Sequence, residues 1–65
     1  MAKYAKMLKL MFKRKEAGLT QEELAKKVGV SAKTIHHYEN GDRQPNVDDL
    51  RKLAVALNCT IDDIA

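Results

Sequence analysis

The sequence predicts a small, compact, all-helical domain. Apolar residues recur at three- and four-residue spacing along most of the chain, and no segment shows the alternation a half-buried strand requires. Polar residues of the helix-capping type precede four of the periodic stretches. With 65 residues, the chain has room for one domain spanning 1–65 and no linker or repeat. The elements below add up to five helices.

Met7, Leu10, Met11 and Ala17, with Tyr4 and Leu8 nearby, form the first apolar set. Beside it Lys3, Lys6, Lys9 and Lys13 make a basic stripe, the wet face of an amphipathic helix. Gly18 follows its end. Thr20-Gln21-Glu22-Glu23 has the form of a capping box, in which the Thr20 hydroxyl accepts from the Glu23 amide and the Glu23 carboxylate from the Thr20 amide. A second helix then runs to about Val28 and breaks at Gly29. Ser31 caps a third helix whose inner side is Ile35 and Tyr38.

Asn40-Gly41-Asp42-Arg43-Gln44-Pro45 is a run of turn formers, hence a loop. Asn46-Val47-Asp48-Asp49 and Thr60-Ile61-Asp62-Asp63 each place a capping residue three positions before an acid. The fourth helix should bury Leu50, Leu53, Ala54 and Leu57, and a short fifth should offer Ile61 and Ile64.

Charge is unevenly divided. Residues 1–45 carry ten Lys/Arg against five Asp/Glu, and residues 46–65 carry two against four. A basic front with a mildly acidic back suits contact with a polyanion. Cys59 is the only cysteine, so neither an internal disulfide nor a thiolate zinc cluster is expected. Its natural place is as a small buried hydrophobe. His36 and His37 point about 100° apart on a helix, with no third ligand placed to complete a metal site. His36, His37, Cys59 and the Asp pairs are scattered, and a chain this short offers no enclosed pocket, so no enzymatic activity, cofactor or small-molecule ligand is expected. No apolar run is long enough for a signal peptide or a membrane span, which places the protein in the cytoplasm.

Residues 20–40 meet the demands of two short helices crossing at a tight turn. Ala25 supplies the small residue where the helices touch, and Gly29 the turn residue that tolerates positive φ. Leu24, Val28, Val30 and Ile35 supply the apolar knobs. If Ile35 and Tyr38 face inward, Lys33, His36, His37 and Asn40 face outward, with Ala32 at the exposed amino end.

The run Leu19 to Ser31 (LTQEELAKKVGVS), with Ile35, Tyr38-Glu39-Asn40-Gly41, Pro45 and Leu53-Ala54, resembles the lambda-repressor-like helix-turn-helix family of Xre, Cro and phage repressors, from about Tyr4 to Ile64. The resemblance implies a five-helix fold with helices two and three as the helix-turn-helix, the third helix in the major groove, and two-fold dimers on operators. It assigns base reading to Ala32, Lys33 and His37, with His36 flanking. It gives phosphate contacts to Gln21, Asn40 and Arg43, with Ser31 and Thr34 flanking. It also pairs Arg14 with Glu39 in a partly buried salt bridge that locks helix three and presents Arg14 toward phosphate. The recognition helix lacks the glutamine pair of some phage repressors, so an operator sequence does not carry over.

These readings converge on a regulator, more often a repressor, that binds double-stranded DNA as a homodimer. Val55, Leu57, Ile61 and Ile64 are the candidates for its dimer surface. The alternative is an antitoxin or coactivator-like adaptor using the same fold to hold a protein.

Overall fold

The computed structural model describes residues 2–65. Four α-helices, α1 (Leu8–Glu16), α2 (Gln21–Val28), α3 (Ala32–Asn40) and α4 (Val47–Ala56), are followed by a single 3-10 turn, Ile61–Asp63. The fold is all-helical, but the expected fifth helix is this turn. The Asp63 and Ile64 amides donate three residues back, to Thr60 and Ile61, and only Ala65 makes the four-residue bond.

Side chains at the helix starts select the boundaries. Thr20 and Glu23 make both bonds of the capping box, at 3.0 and 2.9 Å. Thr60 and Asp63 do the same at the 3-10 turn. Ser31 and Asn46 each accept from the amide three residues on, capping α3 and α4. Gly29 and Gly41 end α2 and α3 in the left-handed conformation, at φ 79° and 81°.

The first helix starts later than the periodicity suggests. Residues 2–7 form a non-helical strap, because Met7 offers no side-chain cap and the Lys3 and Tyr4 amides donate instead to the Gly41 carbonyl, at 3.0 and 2.8 Å. Lys3 and Lys6 therefore lie on the strap, outside any helical stripe. Tyr4, Leu8 and Ala17 are exposed, so α1 commits only Leu10 and Arg14 fully to the interior.

Every element sends side chains inward. Leu10, Leu24, Ile35, Leu53 and Ile64 are fully buried, with Ala25, Tyr38 and Ala54 between them. Each large one contributes roughly 1.5–3 kcal/mol relative to leaving it in water. Ala25 lies where α2 meets its neighbours, and Val28 and Val30 pack on the same cluster. Cys59 is half-buried against it, and burial pushes its thiol above the ordinary value.

The capping bonds carry a pH dependence. Donation from the Thr20 amide and hydroxyl holds Glu23 below the usual carboxylate range, and Thr60 does the same for Asp63. A depressed folded-state value means that the contribution is complete above the unfolded value, about pH 4, and is lost as pH falls through the lower folded one. Glu23→Gln should therefore flatten the acid side of a melting-temperature profile. Thr20→Ala should lower the melting temperature at pH 7 by roughly 4–8 °C; calorimetry showing no change in either variant would refute this account of the caps.

Candidate nucleic-acid interface

The site begins at a buried carboxylate. Glu39, in the last turn of α3, accepts from Arg14 Nε at 2.7 Å and Nη2 at 3.1 Å, a bidentate pair. Both residues are buried, at 5% and 7% exposure. The bond to Glu39 holds the Arg14 guanidinium above its already high value. Arg14 Nη1 donates to the Leu19 carbonyl at 2.9 Å, fixing the turn between α1 and α2. The Gln21 side-chain amide donates to Glu39 Oε1 at 3.0 Å. One carboxylate thus ties together α1, the start of α2 and the end of α3.

This geometry corrects one expectation for Arg14. With three of its N–H groups committed and little surface, the side chain presents no open face to a phosphate. Gln21 shares its Glu39 partner: one amide hydrogen is spent on that carboxylate and the other is left at the start of α2, where the helix terminus is positive.

On α3, Lys33, His36 and Asn40 are exposed, and Ala32, Thr34 and His37 are half-buried. The Ser31 and Thr34 hydroxyls lie 3.0 Å apart, so both are engaged at the cap. The Asn40 side-chain amide turns back to His36 Nε2 at 2.9 Å. His37 Nδ1 faces Asp42 Oδ2 at 3.3 Å, a contact that spacing alone does not reveal because it needs the chain reversal at Gly41. Arg43 is exposed, without an ion pair among the described residues.

The strap bears on this loop. A side-chain carbon at Gly41 would collide with the Tyr4 carbonyl, so glycine is demanded by close approach as well as by positive φ. Asn40, Asp42 and Arg43 are therefore positioned partly from the amino-terminal side, a dependence no local motif announces.

A helix-turn-helix family model matches residues 10–64, which covers the buried pair, both helices of the turn and the core. The chain belongs to the lambda-repressor-like helix-turn-helix family. Its relatives include an uncharacterised HTH-type transcriptional regulator of Archaeoglobus fulgidus, 45% identical over 51 residues that cover 78% of this chain and 73% of the relative. Another, from Methanocaldococcus jannaschii, is 43% identical over 86% of this chain and 85% of its own length. The transcriptional repressor RstR of the cryptic phage CTXphi in Vibrio cholerae is 34% identical over 86% of this chain and half of that protein. Among solved structures, the restriction-modification controller protein C.AhdI of Aeromonas hydrophila superimposes with a TM-score of 0.83 at 30% identity, covering 88% of this chain and 83% of that one. The protein is thus a DNA-binding transcriptional regulator of this family.

Two further expectations change. Ile64, named for a dimer surface, is fully buried in the core and offers nothing to a partner, whereas Leu57 and Ile61 keep part of their surface and Val55 is 79% exposed. The division into a basic front and an acidic back also fails in space. Arg51 and Lys52 of α4 join Lys26 and Lys27 of α2 around an open groove that Val28, Val55 and Ala56 also line. Among the described residues no three His, Cys, Asp or Glu side chains are grouped to hold a metal ion, and no helix is long and apolar enough to cross a membrane.

Removing one partner of a buried pair leaves the other charge uncompensated. Glu39→Ala should destabilise the protein by about 3 kcal/mol by denaturant unfolding. The Arg14→Met, Glu39→Met double substitution should recover most of that loss and still bind DNA more weakly than the native protein, since Gln21 has lost its anchor. Native affinity in a stable double variant would show that the pair has no part in positioning.

Proposed function

We propose that the protein regulates transcription, as a repressor, by binding a palindromic operator as a homodimer with α3 in the major groove. The carrying observation is the rigid presentation of Lys33, His36 and His37 on the outward side of α3, whose other side is fixed by Ile35, Tyr38 and Glu39. Lys33 can donate to guanine O6 and N7, and Ala32 can pack on a thymine methyl. Gln21 and Arg43 position the protein on phosphates without reading sequence, assisted by Ser31, Thr34 and Asn40.

Dimerisation follows from the size of the reader. One short helix reads about four or five base pairs, too few to single out a site in a genome, and two copies supply half-sites about 34 Å apart. The Leu57–Ile61 side suits the pairing better than the centre of the groove beside Val55. Face to face there, Lys26, Lys27, Arg51 and Lys52 would meet their own copies, and like charges in contact oppose association.

That groove favours a second reading, an antitoxin or coactivator-like adaptor that holds an acidic protein segment against its apolar lining. Gel shifts on genomic fragments at about 150 mM salt separate the two: a regulator gives a discrete site and an adaptor only diffuse, salt-sensitive retardation. Lys33→Ala should relax preference at one base of each half-site. Gln21→Ala should weaken binding to all sequences alike. If Lys33→Ala weakens all sequences alike, Lys33 is a phosphate contact and the base-reading assignment fails.

A further inference from the structure

The adjacent histidines of α3 are held by partners of opposite hydrogen-bonding character. Asn40 Nδ2 lies 2.9 Å from His36 Nε2. An amide NH2 only donates, so Nε2 of neutral His36 accepts and its proton sits on Nδ1. Asp42 Oδ2 lies 3.3 Å from His37 Nδ1. A carboxylate only accepts, so Nδ1 of His37 carries a proton and, in the neutral ring, Nε2 keeps the lone pair. The two rings, 6.0 Å apart and tilted by 56°, are thus opposite tautomers. The outermost nitrogen of His36 is already occupied by Asn40, whereas that of His37 has no partner within the described residues.

Asp42 is itself fixed. Beyond the left-handed Gly41, the chain reverses so that the Asp42 and Arg43 amides both donate to the His37 carbonyl, at 2.9 and 3.3 Å. The Gly41 carbonyl is in turn held by the Lys3 and Tyr4 amides.

We propose that Asp42 sets specificity by holding neutral His37 in the tautomer whose Nε2 accepts, so that His37 selects a base offering an exocyclic amine in the major groove, adenine N6 or cytosine N4. Guanine and thymine present only acceptors at the matching positions, and their oxygens would face the His37 lone pair. The proposal rests on α3 reading DNA, and it names the class of base that one position reads. Asp42 is a positioning residue here, since it acts on the base only through His37.

The test begins with selection of bound duplexes from a random pool by the native protein and by His37→Ala. The position whose preference disappears in His37→Ala is the one His37 reads. The expected base there is adenine or cytosine, and its analogue without the amine, purine for adenine or 2-pyrimidinone for cytosine, should bind roughly tenfold more weakly. Asp42→Ala should reduce discrimination against guanine and thymine to within about threefold without moving the melting temperature, and Asp42→Asn, which keeps an acceptor for Nδ1, should retain most of it. Selection of guanine or thymine at that position, or an unchanged preference in Asp42→Ala, overturns the proposal while leaving DNA reading intact. Failure of the native protein to select any discrete site would instead remove the functional reading beneath it.

Discussion

The buried Arg14–Glu39 pair is the interaction on which the rest of the structure depends. Withdrawing two charges from water costs several kcal/mol per ion, and the attraction between them does little more than offset that. Its value is geometric. The flat guanidinium fork matches the carboxylate at two points, so α1 and α3 are fixed in rotation as well as in distance. A further lone pair on Glu39 Oε1 and the Nη1 donor of Arg14 carry that order to Gln21 and Leu19, at the threshold of α2. No buried side-chain polar atom is left without a partner among the described residues, as a low-dielectric network of this kind requires.

Around this polar centre the protein has a small apolar core of eight residues, so a large part of its definition must come from helix ends. Four starts are capped by side chains, and α1, which has no such cap, is preceded by the strap hydrogen-bonded to Gly41. The strap and the loop after α3 are thereby one unit. Gly41 serves twice, once for the left-handed end of α3 and once because the Tyr4 backbone passes directly over it.

Electrostatics follows the same logic of placement over count. The chain's basic and acidic stretches do not become two faces, because α4 packs beside α2 and brings Arg51 and Lys52 to Lys26 and Lys27. The acids at helix starts serve their own amides: Glu23 and Asp63 are held by Thr20 and Thr60. On α3 Asn40 and Asp42 each face one ring nitrogen of the adjacent histidines.

The sequence by itself determined what is local. The ends of α2 and α3 were legible because Thr20, Glu23, Gly29, Ser31 and Gly41 act within one turn of their own positions. The outward side of α3 was legible because Ile35 and Tyr38 fix the helical phase. Only the tertiary structure decided the rest: the strap, the burial of Ile64, the full commitment of Arg14 to interior partners, the Glu39–Gln21 link, the His37–Asp42 contact and the groove between α2 and α4. The physical reason is range. Helical periodicity and caps act over three or four residues, whereas Arg14 and Glu39 stand 25 apart and Lys9 donates to the Asp62 carbonyl across 53. Such distances close only when the core forms, and which polar groups then meet depends on how the helices pack.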